Sequence, residues 1–190
     1  AAVLEAHLDP QKDPALSIRA LYGKWLPNLD YTDHEWTERM LPRILPSDAA
    51  QKQLREAAWN TYLLYSGGPY NKTGAMLIPE YRLAVDSMPS AEPVARGDPQ
   101  EALAAHIAVL YLRGILKRDG EDGVISAFLQ NADAGRRGEF VQVMGDIVRH
   151  NKQPSREWIE RAVRFWEERL EAAKRAQDPS QHAKEMDAFG

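Results

Sequence analysis

Five histidines, His7, His34, His106, His150 and His182, and 28 Asp and Glu side chains are the groups with which this chain could do acid–base or metal chemistry. A helical zinc or di-iron site needs histidines three or four residues apart on one face, or Glu-x-x-His phrases on two helices. Neither pattern occurs. His34-Glu35 opens like the zinc-protease phrase His-Glu-x-x-His, but Glu38 stands where the second histidine is required. With no cysteine, the chain has no disulfide, thiolate metal site, thiol nucleophile or iron–sulfur cluster. No Gly-x-Ser-x-Gly phrase presents a serine nucleophile, so no catalytic, cofactor-binding or metal-ligating residue is nominated and no cofactor is implied.

Two further stretches imitate chemistry without its full pattern. Ser66-Gly67-Gly68-Pro69-Tyr70-Asn71-Lys72-Thr73 ends like a phosphate loop, yet Ser66 and Asn71 occupy the positions where that loop needs glycine. The element before it reads as a helix rather than the required strand, so Gly67-Gly68 reads as a helix-ending turn. In the segment after Ser155, the pairs Glu157/Arg161, Glu160/Arg164 and Glu171/Arg175 sit four apart in the favourable order. Each contributes about 0.2–0.5 kcal/mol to a helix, which is the signature of a solvated face.

Aromatic residues are the remaining candidates for recognition. Trp25, Trp59 and Trp166 fall on apolar stripes and read as core. Trp36, Tyr70 and Trp158 lie near helix starts or loops and are the candidate exposed interaction surface, since Trp and Tyr anchor many interfaces.

The elements that must position these residues are all helical. Asp13-Pro14, Asp98-Pro99 and Asp178-Pro179 each place an N-cap acceptor before proline at the first helical position. Thr32-Asp33-His34-Glu35 matches a capping box, and Ser47 and Ser155 are further N-cap residues. Apolar residues then recur at helical period, as in Ile18, Leu21, Tyr22 and Trp25; Leu103, Ile107, Leu110 and Tyr111; and Ile159, Ala162, Val163, Trp166 and Leu170. No segment alternates as a strand does. The spacing predicts helices over 2–8, 14–26, 33–44, 47–66, 71–88, 99–117, 121–131, 136–150, 155–177 and 179–189. Asp119-Gly120 and Asp122-Gly123 read as a helix–helix turn.

The expected fold is therefore all-α: about ten helices in antiparallel hairpins, arranged as a right-handed HEAT- or TPR-like superhelix. The alternative is a closed irregular bundle. One domain spans 1–190, in halves of about 1–88 and 98–190 joined by a loop at 89–97. The chain starts without Met inside an apolar phrase, Ala1-Ala2-Val3-Leu4, and so reads as a piece of a longer helical array. Val3, Leu4 and Leu8 at one end, with Met186 and Phe189 at the other, would then be incompletely buried.

Composition narrows the partners. A net charge of −4 from 24 Lys+Arg and 28 Asp+Glu argues against a nucleic-acid or polybasic membrane surface. Glu5, His7 and Asp9 interrupt any signal peptide, no apolar run approaches a membrane span, and a cytoplasmic location is expected.

Several phrases together resemble a known group. They are Ser17-Ile18-Arg19-Ala20-Leu21-Tyr22-Gly23-Lys24-Trp25-Leu26-Pro27, Ala57-Ala58-Trp59-Asn60-Thr61-Tyr62-Leu63-Leu64-Tyr65, Pro79-Glu80-Tyr81-Arg82-Leu83-Ala84, His106-Ile107-Ala108-Val109-Leu110-Tyr111-Leu112-Arg113-Gly114 and Phe165-Trp166-Glu167-Glu168-Arg169-Leu170, closing with Ala188-Phe189-Gly190. In that order the chain resembles the C-terminal helical region of large, poorly characterised bacterial proteins that carry an N-terminal STAND-like NTPase module. The resemblance implies a superhelical scaffold or sensor arm on a nucleotide-dependent switch of the phage-defence kind, and it brings no catalytic residues.

The leading expectation is a non-catalytic protein-interaction module whose partner is a protein or a neighbouring domain of the same chain. No small-molecule substrate is evident. Two alternatives stand beside it. One is a small helical hydrolase or lyase using carboxylates and a histidine, which needs a pocket where such groups converge. The other is a HEAT-like nucleic-acid-binding module in which Arg113, Lys117, Arg118, Arg136 and Arg137 cluster.

Overall fold

A computed structural model describes residues 2–88 and 98–175, and within them the chain is all-helical, with no strand. The predicted helix 179–189, the Asp178-Pro179 cap, the 89–97 loop, Met186 and Phe189 lie outside the described residues. Two compact units divide between Met76 and Leu77.

The first unit contains α1 (Ala2–His7), α2 (Leu16–Thr32), α3 (His34–Ile44), a 3-10 turn (Ala49–Gln51), α4 (Lys52–Tyr65) and α5 (Asn71–Met76). Its central packing is α2 against α4 and α3. The α2–α4 approach is set by glycine. A Cβ at Gly23 would overlap the Ala58 carbonyl oxygen and lie 2.7 Å from the Ala58 carbonyl carbon, so the two backbones meet with nothing between them.

That contact fixes the rotation of α2 and corrects two expectations. The buried face is Arg19, Tyr22, Gly23, Leu26, Pro27 and Asp30; of the Ile18, Leu21, Tyr22, Trp25 stripe only Tyr22 is fully buried. Trp25, expected in the core, is 50% exposed. The helix also runs through Pro27 to Thr32 rather than stopping at 26. Proline removes one backbone bond at a cost of about 3 kcal/mol, against which stands the apolar burial of Leu26 and of the Pro27 ring itself.

Buried polar side chains join the helices of this unit. Arg19 donates to the carbonyls of Arg43 at 2.6 Å and Leu8 at 3.2 Å, spending its guanidinium on otherwise unpaired backbone oxygens. Tyr22 donates to Leu4 O at 2.6 Å. Burial raises the Tyr22 phenol above its ordinary value, with Arg19 opposing. Trp36, expected at the surface, is only 5% exposed. Asp33 caps α3 through Trp36 N at 2.9 Å, which turns the indole inward so that its N–H donates to Glu5 at 2.8 Å. The cap is thus Asp33 and not Thr32, whose hydroxyl closes α2 on Asn28 O.

Other starts shift for local reasons. Pro14 precedes α2 instead of opening it; Asp13 accepts from Ala15 N at 3.2 Å and pairs with His7 at 2.8 Å. Asp48, and not Ser47, caps the 3-10 turn. Leu8 is buried, while Val3 and Leu4 are exposed.

The second unit contains α6 (Ile78–Asp86), α7 (Pro99–Leu112), α8 (Val124–Asn131), α9 (Ala134–His150) and α10 (Arg156–Arg175). The predicted helix 71–88 breaks at Leu77, because Pro79 in the first turn of α6 has no N–H to continue the ladder. Helix 99–117 ends at Leu112 for a different reason. Gly114 takes φ 74°, Ile115 N bonds Leu110 O, and Gly114 N bonds Tyr111 O, which together form a Schellman stop. Arg161 of α10 then donates to Leu112 O at 2.5 Å, and Tyr111 donates to Arg161 O at 3.3 Å.

The Asp98-Pro99 start behaves as its sequence implies, Asp98 accepting from Gln100 N at 2.8 Å. The Ser155 hydroxyl likewise accepts from Trp158 N at 3.2 Å. The core is aromatic: Phe140 packs at ring distances of 5.0 Å from Phe165, 5.3 Å from Phe128 and 6.0 Å from Tyr111. Phe165 is the residue that α10 buries. The Ile159, Ala162, Val163, Trp166, Leu170 stripe expected to pack inward stays partly open, with Ile159 and Val163 exposed and Trp166 half-buried.

Candidate functional site

Two concave features lie in the first unit, and α2 contributes to both. The first is an apolar groove of about 290 Å3 between α1 and α2, lined by Leu4, His7, Ile18, Leu21, Tyr22, Trp25 and Leu29. It follows from the rotation of α2. With Gly23 pressed on Ala58, the stripe at 18, 21/22, 25 and 29 points past α4, and α1 covers only part of it. The bond from Tyr22 to Leu4 O holds α1 on this face. Trp25 carries Lys24 Nζ at 5.7 Å from its ring centroid, a cation–π distance.

The second feature is a polar cleft of about 260 Å3 beside the last turn of α2, lined by Pro27, Asn28, Asp30, Tyr31, Tyr70, Lys72 and Thr73. Gly67 and Gly68 adopt φ of 82° and 102°, and this left-handed turn leads the chain from α4 to Tyr70 and α5. Asp30 is 3% exposed. One of its oxygens accepts from the Thr73 hydroxyl at 2.6 Å; the other is 2.5 Å from His34 Nδ1. Asp30 thereby ties α2, α3 and α5 together at the cleft floor. Tyr31 is 93% exposed and Tyr70 56% exposed at its edge.

Of the three aromatic residues singled out by sequence, only Tyr70 lines a cavity described above. Trp36 is buried against Glu5 and Trp158 is half-buried at the start of α10. The histidines are dispersed: His7 pairs with Asp13, His34 with Asp30, His150 with Asp146 O at 3.0 Å, and buried His106 lies 2.9 Å from the Tyr81 hydroxyl. His182 lies outside the described residues. Among the described residues no three His, Asp or Glu side chains are grouped to hold a metal. Neither cavity is lined by two such groups, since the groove has His7 alone and the cleft Asp30 alone. Burial raises the Glu139 carboxyl, with Glu101 and Asp146 adding to the shift, but Glu139 lines neither cavity.

The basic residues considered for nucleic acid are largely committed within the second unit. Arg136 is buried on Asp133, Arg137 donates to Ala132 O, and Arg118 pairs with Glu168 at 3.2 Å. Arg113 and Lys117 are exposed. No helix among the described residues is long and apolar enough to cross a membrane.

The groove and the cleft were missed in the sequence for separate reasons. The stripe of Ile18, Leu21, Tyr22 and Trp25 is visible in the sequence, but its apolar character reads as core until the Gly23–Ala58 contact is known, and Leu29 lies beyond the predicted end of the helix. Asp30 and Tyr31 fall after Pro27, in a segment that reads as loop. The signal for the cleft was the Asp30/His34 spacing together with the Gly-Gly turn that returns the chain toward α2. Compared with protein-family models, with curated proteins and with solved structures, this chain matches none.

Proposed function

We propose that this chain is a non-catalytic protein-interaction module, and that it docks an amphipathic helix of a partner protein in the α1–α2 groove. The observation that carries this reading is the half-exposed Trp25 beside exposed Leu21 and Leu4 on the apolar lining. Trp in a desolvating pocket with an aliphatic surround is the composition of an interface hot spot. The lining residues recur over 18–29 on one helix, a seam of about 16 Å at 1.5 Å per residue. A facing helix with apolar residues at i, i+4 and i+7 fits such a seam. The exposed Lys24 beside Trp25 favours an acidic residue on the flank of that helix.

The stacked-hairpin scaffold, and a place on a larger bacterial nucleotide-dependent protein, belong to the same proposal. Their support is the sequence likeness to the helical arms of STAND-like NTPase proteins. Such an arm would need an apolar contact surface of this kind to meet its neighbour.

A photo-crosslinking residue at position 17, exposed at the end of the groove and leaving Trp25 in place, tests the reading when introduced in cells of the source organism. The expected result is one discrete adduct whose crosslinked residue lies on the apolar face of a helix in another protein. Leu21→Asp should abolish it while leaving the fold intact. An adduct only with a second copy of this chain, or no adduct, would overturn the proposed occupant.

A further inference from the structure

The last described helix carries an apolar row that its neighbours leave open. α10 packs on α7 and α9 through buried Phe165 and through the bonds between Arg161 and the end of α7. Val163, Trp166 and Leu170 lie about 100° to 160° farther round the helix from Phe165, at 100° per residue. Ile159 and Val163 are exposed, and Trp166 and Leu170 are half-buried. A row of this kind ordinarily faces another element, because each large apolar side chain gains free energy on leaving water.

The sequence supplies a matching element directly after α10. Over 179–189, outside the described residues, it reads as a second amphipathic helix: Asp178-Pro179 is a start signal, and Ala183, Met186 and Phe189 recur on one face. Only residues 176–178 separate this segment from Arg175, a connection of the length that joins antiparallel helices. The registers agree. Leu170, Trp166 and Val163 stand 5, 9 and 12 residues before Arg175, while Ala183, Met186 and Phe189 stand 4, 7 and 10 residues after Pro179. In a hairpin, facing members of these two sets differ in height by no more than about 3 Å, little over half of a helical turn. From this match we infer that residues 179–189 pack antiparallel on the Val163, Trp166, Leu170 row, so that the occupant of this face of α10 is a segment of the same chain. Small Ala183 falls beside the turn, where the helices converge, and Phe189 falls at the far end, beside exposed Val163. A segment tethered by so short a connection meets the row at an effective concentration of the order of millimolar, an advantage over a second copy or a separate protein. The α1–α2 groove has no part in this contact.

The chain has no cysteine, so Leu170→Cys combined with Ala183→Cys puts the only two thiols of the full chain on the facing positions. Under mild oxidation they should form a disulfide within one monomer. Glu168 is exposed and lies about 200° round α10 from Leu170 at nearly the same height. The control pair Glu168→Cys with Ala183→Cys should therefore stay reduced. Disulfide-linked dimers in place of the internal bond would give the face to a second copy and overturn the inference. No bond, or equal yields from the two pairs, would overturn it as well. Amide hydrogen exchange gives a readout free of thiols. Val163→Asp changes an exposed side chain, and it should speed exchange over 181–189 by about tenfold or more, the factor lost with the burial of one large apolar side chain. α7 and α9 should keep their protection in that variant. Exchange over 181–189 that is unprotected in the unaltered chain, or unchanged by Val163→Asp, would sink the hairpin.

Discussion

The two compact units are built from similar helices but hold together by different physics. In the first, α2 and α4 meet through Gly23 and Ala58, and an apolar core that includes Leu26, Trp36, Ile44 and Tyr62 is crossed by the buried polar groups Arg19, Asp30 and Thr73, which tie helices together. In the second, Phe128, Phe140 and Phe165 with Tyr111 fill the centre, and few polar groups are buried. A core that closes on a backbone contact has a narrow choice of helix rotation. In the first unit that rotation turned Leu21 and Trp25 outward and left a groove and a cleft beside α2. A core filled by large rings is forgiving of rotation and is sensitive to volume. The groove and the cleft both lie in the glycine-set unit.

The comparison can be broken by substitutions that should act in one unit alone. Phe140→Ala should have the largest effect, about 3–5 kcal/mol from lost transfer energy plus a cavity. Amide hydrogen exchange should show the loss at α7, α9 and α10 with α2 and α4 still protected. Gly23→Ala comes next. Its Cβ would press on Ala58 backbone atoms, which cannot rotate away, so an overpacking cost of about 3 kcal/mol is expected despite alanine's better helix propensity of about 1 kcal/mol. Exchange should accelerate at α2 and α4 only; uniform loss across both units would show that they unfold together.

Helix caps should give a smaller and matched effect. Asp33→Ala in the first unit and Asp98→Ala in the second each remove an N-cap acceptor and should cost about 1 kcal/mol, read from urea midpoints. A pH titration sharpens the contrast further. Burial raises the phenols of Tyr22 and Tyr111 above the ordinary value of 10.0, and each donates to a backbone carbonyl. The unfolded chain then loses these protons first as pH rises. The stability tied to them is fully present below pH 10 and is lost as pH climbs through the folded values. Tyr22→Phe and Tyr111→Phe should each flatten the alkaline loss in its own unit. The smallest effect belongs to Trp25→Ala, which should change stability, read from the urea midpoint, by no more than about 0.5 kcal/mol, because half of the residue already faces solvent. A clear destabilisation there would make the groove a structural element instead of a docking face.

Much of the fold was legible because helix starts and apolar spacing are local signals. The Asp98-Pro99 start, the Ser155 cap and the Gly67-Gly68 turn act through residues within a few positions of each other, and they form as read. Helix ends were less legible. Pro27 looks like a stop and is not one, whereas Gly114 looks like part of a stripe and ends α7. Proline's cost can be offset by packing that sequence does not display; glycine's left-handed turn is fixed only when the next carbonyl partners are in place. Of the site, Tyr70 was nominated, and Asp30, Tyr31, Lys72 and Thr73 were not. They are contributed by the last turn of α2 and by the loop and helix after α4, segments that meet only after α2 packs on α4.

The sequence by itself determined an all-helical, cysteine-free and mildly acidic chain, and where most helices begin, because capping and periodicity are short-range properties of the backbone. The tertiary structure decided which apolar residues stay outside. Burial on an amphipathic helix depends on its rotation, and in α2 that was set by one glycine against a carbonyl on another helix. The same contact exposed Trp25 and Leu21 beside the groove, while the continuation of α2 past Pro27 carried Asp30 and Tyr31 to the cleft.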